Sequence, residues 1–258
     1  MTDLDDDYAN MPYIPQGEAF PECWARAAEA YRDDAMMLEV GYDSGAERQI
    51  DIFLPQGAPK GVVIFVHGGY WSEGSRRLYS HLAQGPVSAG WAVAIPGYDL
   101  APAVRISQIT ALLALAVAEV ARRFSGPIRL CGHSAGGHLV ARLVSSGLLA
   151  EEVLARIEKV VPISPVSDLA PLLRTSMTAV LGLDEEEARA ESPVHAPAPR
   201  MPVEVWVGEA ERPAFRDQAR WLAEAWGAKL TVDPGRHHFD VIEGLERADR
   251  SLCQAVIG

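Results

Sequence analysis

Short, almost continuous apolar runs alternate along this chain with stretches whose apolar residues recur at three- and four-residue spacing. The runs cover residues 62–66, 91–95, 128–131, 160–163, 203–207 and 230–232. A strand covered on both faces loses the in-and-out alternation of a half-exposed one, so these runs predict a parallel sheet buried on both sides. Between them, Ile106, Ile109, Leu113, Ala116, Val120 and Phe124 predict a helix over about residues 105–124, and Phe215, Ala219, Leu222 and Trp226 another over about 213–227. Leu139, Val140, Leu143, Val144 and Leu148 mark a third, and Trp24, Ala27, Ala28 and Tyr31 an N-terminal one over about 18–34. Residues 37–42 and 49–54 read differently. The second alternates through Ile50, Ile52 and Leu54, and the turn Asp43-Ser44-Gly45 joins it to the first, which predicts an antiparallel hairpin opening the sheet. Repeated strand-helix alternation means a doubly wound α/β sheet, and 258 residues suit a single domain over 1–258.

One connection is longer than a crossover needs. Between the sixth and seventh strands, about 165–201, lie Ser164-Pro165-Val166-Ser167-Asp168, a helical pattern over 169–181, the acidic run Asp184-Glu185-Glu186-Glu187 opening a second short helix, and a Pro-rich tail. A segment of this length reads as a small cap over a ligand site. The acidic run reads as a helix N-terminus with a solvated face.

Bulk properties narrow the function. No apolar run approaches the ~18 residues of a membrane span, and residues 1–7 are acidic where a secretory leader would be basic and then apolar, so a cytoplasmic location is expected. A net charge of −12 disfavours nucleic acid and anionic membrane as partners, leaving a small-molecule substrate, with a homodimer left open. Cys23, Cys131 and Cys253 are odd in number and far apart, which argues against a disulfide framework or zinc site. No histidine has metal-ligand spacing, and neither a metal nor a cofactor is implied.

The chemistry centres on Gly132-His133-Ser134-Ala135-Gly136, a G-x-S-x-G turn between an apolar run and a helical pattern. A serine wedged there must sit in a cramped backbone turn, with glycines flanking it and the next helix's first amide, on Ala135, positioned to bind an oxyanion. The first core strand ends in His67-Gly68-Gly69-Tyr70-Trp71, and Gly68 and Gly69 let backbone N–H groups complete that oxyanion hole. The serine needs a base late in the chain. His238 is the candidate, with His237 the alternative. The acid should follow the strand at 203–207: Glu211 first, Glu209 second, and Asp168, after an earlier strand, third. His67 is expected to brace the glycine loop, and His133 and His138 to be structural.

With these residues in place the sequence resembles the serine-dependent arylformamidases, or kynurenine formamidases, of the α/β-hydrolase superfamily. His67-Gly68-Gly69-Tyr70-Trp71 is similar to their H-G-G-x-W motif, Gly132 to Gly136 to their nucleophile turn, and His238-Phe239-Asp240 to their histidine segment. Glu211 departs from the pattern, which has aspartate there. The resemblance implies an α/β-hydrolase fold and cleavage of an aryl formamide, N-formyl-L-kynurenine, to L-kynurenine and formate through a formyl-serine. It also implies an aromatic wall from Tyr70 and Trp71, and recognition of the amino-acid end by Arg174 of the cap. Tyr98-Asp99-Leu100-Ala101-Pro102 is similar to the hormone-sensitive-lipase-like enzymes, so a carboxylesterase or thioesterase is the alternative.

Overall fold

The computed structural model describes residues 4–258; of the acidic stretch 1–7, residues 1–3 lie outside the described residues. Eight strands form one sheet: β1 (Met37–Gly41), β2 (Gln49–Phe53), β3 (Val62–Val66), β4 (Ala92–Pro96), β5 (Ile128–His133), β6 (Ile157–Ile163), β7 (Glu204–Gly208) and β8 (Lys229–Asp233). Their spatial order is β1-β2-β4-β3-β5-β6-β7-β8. β1 and β2 pair antiparallel, as the alternating hairpin pattern predicts, and β2 meets β4 antiparallel; every later pairing is parallel. The helices are α1 (Phe20–Asp34), α2 (Gln84–Ser88), α3 (Ile106–Arg123), α4 (Ala135–Ser145), α5 (Glu151–Leu154), α6 (Met177–Leu181), α7 (Glu185–Ala190), α8 (Pro213–Trp226) and α9 (Ser251–Ile257).

The central strands show why apolar runs lack alternation. Along β3, Val62, Ile64 and Val66 join the core layer of α3, α4 and α8, while Val63 and Phe65 join the layer of α1 and α9. Each face is covered, and each such side chain contributes about 1.5–3 kcal/mol by burial. On the second face α1 is pinned by charge. Asp51 of β2, fully buried, takes hydrogen bonds from Arg32 of α1 and from Arg76, so its charge is paired rather than stranded.

Five local expectations are corrected. In α1 the buried stripe runs through Trp24 and Ala28, with Ala27 turned to solvent. α4 stops at Ser145, which leaves Leu148 51% exposed beyond it, and α3 stops one residue before Phe124. β8 is an edge strand instead of a core one, so Val232 is 44% exposed. The helix expected over 169–181 is two pieces, a 3-10 turn at Ala170–Arg174 and α6. Thr175 is extended between them, and the hydroxyls of Thr175 and Thr178 both donate to the Leu172 carbonyl at 2.7 Å, a local alternative to the helical ladder. The acidic run does open α7, with Asp184 accepting from the Glu187 N–H at 2.8 Å. Glu187 itself is buried, accepting from the Ser107 N–H and pairing with Arg105, so the run docks the cap on the start of α3.

Candidate active site

Ser134 sits between the last residue of β5 and the first of α4, with φ 57° and ψ −117°. A serine is strained there, and the surroundings hold it: its N–H donates to the Ile163 carbonyl at 2.8 Å, and its carbonyl accepts from the His138 N–H at 3.0 Å. The turn can exist only because α4 lies directly on the end of β3. A Cβ on Gly136 would stand 2.0 Å from the Val66 carbonyl oxygen.

The glycine loop meets the serine from the neighbouring strand. A Cβ on Gly68 would lie 2.7 Å from the His133 carbonyl oxygen and 3.0 Å from Ser134 Cβ, so only glycine allows this approach. The N–H groups of Gly68 and Gly69 donate to nothing among the described residues. Ala135, as the first residue of α4, has no helical acceptor for its N–H, and it sits at the positive end of the helix dipole. Three unspent donors thus come from the two segments that flank the serine. The loop is braced by His67, whose Nδ1–H donates to the Gly68 carbonyl at 2.8 Å. Tyr98 stacks on that imidazole at 4.4 Å, and its hydroxyl donates to the His67 carbonyl at 2.8 Å. Burial pushes the His67 imidazole down to about 4, so it stands neutral as a brace.

On the other side of the serine, His238 Nδ1–H donates to Glu211 Oε2 at 2.6 Å, with both side chains buried. The remaining oxygen of Glu211, Oε1, accepts from the Gly208 N–H at 2.8 Å and from the Ser164 hydroxyl. The carboxylate is therefore satisfied without water and aimed by three donors. Phe215 lies against the imidazole at 4.3 Å, and the ring of His133, beside Ser134, lies against it at 4.6 Å. Phe239 is wedged on Phe20 and Trp24 of α1, which anchors the loop that bears His238. The alternatives point elsewhere. His237 packs on Phe20 and accepts from the N–H groups of Phe239 and Asp240 at 3.2 Å; Glu209 accepts from the exposed Gly235 N–H; Asp168 accepts from the Ala170 N–H inside the cap.

A serine in a strained elbow, a buried carboxylate-imidazole pair and unspent backbone donors together form a set able to attack a carbonyl and hold the resulting oxyanion. A family model described as the alpha/beta hydrolase fold matches residues 63–233. A kynurenine formamidase of Salmo salar is 30% identical over 237 residues, 86% of this chain and 81% of that protein. The chain belongs to the arylformamidase family of α/β-hydrolases. A kynurenine formamidase of Danio rerio is 29% identical over 81% of this chain and 76% of its own. A Silicibacter crystal structure, of a protein provisionally called a thioesterase, matches all of both chains with 49% identity and a TM-score of 0.98.

In this α/β-hydrolase the residues expected to bind substrate are placed less uniformly. Tyr70 and Trp71 continue the glycine loop with φ of 49° and 58°. Trp71 is only 1% exposed, and its Nε1–H donates to His138 Nδ1 at 3.2 Å, while His138 Nε2–H donates to the Glu191 carbonyl at 2.6 Å. It is a post under the loop and not a wall facing substrate, which corrects that expectation. Tyr70 is half-buried and bonded through its hydroxyl to the N-terminal segment. Arg174 is exposed and lines a cavity of about 480 Å³ with Asp7, Asp168 and Asp217; no residue of the elbow, the glycine loop or the histidine loop lines it. Three supports escaped the sequence reading: Ser164, Glu191 and the N-terminal segment. Ser164, just after β6, adopts φ 48° to reach Glu211, and the Ser-Pro pair closing an apolar run was the only local sign of it.

Proposed function

We propose that this hydrolase cleaves aryl formamides, with N-formyl-L-kynurenine as substrate, through a Ser134-His238-Glu211 triad acting in the cytoplasm. The observation that carries the reading is the buried Glu211–His238 pair beside a strained Ser134, in a chain whose curated relatives are named kynurenine formamidases. In this reading His238 Nε2 takes the Ser134 hydroxyl proton as Oγ adds to the formyl carbon. Glu211 keeps Nδ1 protonated and stabilises the imidazolium without taking its proton. The N–H groups of Ala135 and of Gly68 or Gly69 receive the negative oxygen. His238 then gives the proton to the nitrogen as the C–N bond breaks, releasing the arylamine and leaving a formyl ester on Ser134. Water attacks that ester, its proton passes to His238 and on to Ser134 Oγ, and formate departs. An arylamine is a weaker base than an alkylamine, which brings this amide close to an ester in difficulty.

The 49% identity to the protein provisionally called a thioesterase favours a second reading, hydrolysis of a short acyl thioester or ester by the same residues. Measuring kcat/KM on N-formyl-L-kynurenine, p-nitrophenyl acetate and an acyl thioester, with Ser134→Ala as the blank, separates them. The formamidase reading expects ~10⁴ M⁻¹s⁻¹ or more on the formamide, abolished in Ser134→Ala. Turnover of the thioester with none of the formamide rejects it in favour of the second reading.

A further inference from the structure

The unspent backbone donors around Ser134 belong to two different elements: the Ala135 N–H to α4, and the Gly68 and Gly69 N–H groups to the loop after β3. Their separation must be fixed if both are to reach one oxygen. The glycine loop closes on itself, with the Gly69 carbonyl accepting from the N–H groups of Ser72 and Glu73 at 3.0 and 2.8 Å, and within that turn Tyr70 and Trp71 have φ of 49° and 58°. Two non-glycine residues in the left-handed region are costly, so the turn persists only where its surroundings hold it. Part of the hold is the Trp71 carbonyl, which accepts from the Ala101 N–H at 2.9 Å. The hydrogen bond to α4 runs through the Trp71 indole.

His138 receives that bond. It lies in the first turn of α4, fully buried; its backbone N–H donates to the Ser134 carbonyl at 3.0 Å and its Nδ1 accepts from Trp71 Nε1–H at 3.2 Å, with the two rings edge to face at 5.1 Å. One residue is thus bonded to the nucleophile on one side and to the glycine loop on the other. Its proton position is forced. An indole nitrogen can only donate and a backbone carbonyl can only accept, so Nδ1 is bare and Nε2 carries the hydrogen given to the Glu191 carbonyl at 2.6 Å. That carbonyl is fixed in turn, because the Glu191 carboxylate accepts from Arg142 of α4 at 3.1 Å and from Thr110 of α3 at 2.8 Å. A second proton on the imidazole would set an Nδ1–H against the indole N–H.

We propose that His138 is a positioning residue for the oxyanion hole: its neutral imidazole, braced by Glu191, holds Trp71 and so sets the distance of Gly68 and Gly69 from Ala135. This rests on the Ser134-His238-Glu211 reading above and applies to formamide, ester and thioester alike, since all three gather negative charge on one oxygen. The ground state makes little use of the hole, so a shifted loop costs transition-state binding more than substrate binding. The two nitrogens of His138 have separable duties. The carboxamide oxygen of an asparagine falls near the place of Nδ1 and can accept from Trp71, whereas a glutamine puts its NH₂ near the place of Nε2, keeping the bond to Glu191 and losing the one to Trp71.

Wild type, His138→Asn, His138→Gln, Trp71→Phe and the double variant His138→Gln with Trp71→Phe are assayed on p-nitrophenyl acetate, with Ser134→Ala as the blank, and inhibited with benzyl trifluoromethyl ketone and with benzyl methyl ketone. Ser134 Oγ adds to the fluorinated carbonyl carbon, its proton passes to His238, and the former carbonyl oxygen takes the negative charge. The methyl ketone binds without forming that bond. The ratio of the two inhibition constants therefore reports on the oxyanion hole, and it does not depend on how much of a preparation is folded. The expected result is a ratio shifted roughly tenfold against the fluorinated ketone in His138→Gln and in Trp71→Phe, a shift below about threefold in His138→Asn, and a double variant no worse than the worse single one. A wild-type ratio in Trp71→Phe overturns the proposal, even where the His138 variants do not fold. Equal ratios in the Asn and Gln variants overturn it too, since His138 would then act by packing alone, as do additive losses in the double variant. Wild type that leaves the ester uncleaved, or Ser134→Ala that still cleaves it, sinks the triad reading itself, and that failure appears before any His138 variant is made.

Discussion

Glu211 accepts three hydrogen bonds from protein donors, with His238, Ser164 and the Gly208 N–H all donating to its fully buried carboxylate. Its extra methylene over the family's aspartate is accommodated because Gly208, with no side chain, closes beneath it; the Gly208 Cβ position lies 3.2 Å from Glu211 Cγ. Glu211→Gln keeps the shape but offers an NH₂ where an acceptor is needed, so one tautomer of His238 loses its partner. The expected outcome is a fall in kcat of ~10³- to 10⁴-fold with little change in KM. Glu209→Gln, at an exposed side chain that accepts from the Gly235 N–H, should stay near wild type. Steady-state kinetics of the pair would exchange the two assignments if the larger loss fell on Glu209. At this scale the elbow at Ser134 and the pairing of Glu211 with His238 were legible because each residue belongs to a local motif with a fixed place relative to a strand. Trp71 was misjudged for the opposite reason. Whether an indole faces a ligand or a neighbour depends on His138 and Glu191, which lie 67 and 120 positions further along the chain.

The elements were read best where burial is complete. β3 and β4 lie within the sheet with helices on both faces, so apolar residues fill them from end to end, and their runs announce them. β8 and the cap were read less well. An edge strand keeps polar residues on its free side, and the cap is ordered by single contacts such as Arg105 to Glu187 and Arg142 to Glu191, which have no periodicity to detect. The contact between α4 and β3 is the one on which the elbow depends, and it is made backbone to backbone. Gly136→Ala would push a methyl into the Val66 and His67 carbonyls, at 2.0 and 2.5 Å, where no flexible side chain can yield. Overpacking of this kind costs roughly 1–3 kcal/mol or more, and relief requires α4 to lift away from β3. The expected outcome is a lower urea midpoint together with activity lost beyond the folded fraction, because Ala135 moves with the helix. Wild-type activity in the folded fraction would mean that the elbow does not depend on this contact.

Across the whole molecule, buried neutral histidines set the response to acid. Burial pushes the imidazoles of His67, His81 and His138 down to about 4 from an ordinary value of 6.5. Between those two values the unfolded chain binds the proton and the folded chain does not. The stability these groups allow is therefore fully present above about 6.5, is lost as the pH falls through that window, and levels off below about 4. At 1.36 kcal/mol per pH unit, each contributes a loss of about 2 kcal/mol between pH 7 and pH 4.5. His81 isolates the effect because it lies in the 3-10 turn at Arg76–Ala83, and its Nδ1 has no hydrogen-bond partner among the described residues. Its ion-pair neighbour Glu246, at 3.8 Å, is itself lifted by burial and acts in the opposite sense, favouring the folded state as the pH falls. Urea unfolding of wild type and His81→Leu at pH 7 and pH 4.5 measures the difference directly. The gap between the two pH values should shrink by about 2–3 kcal/mol in the variant. An identical gap in both proteins would place the acid sensitivity in the carboxylates instead, with Glu191 the first to consider: burial, the largest single influence, would raise its pKa, but the hydrogen bonds from Arg142 and Thr110 and the positive charge beside it together outweigh burial and hold it below the usual range.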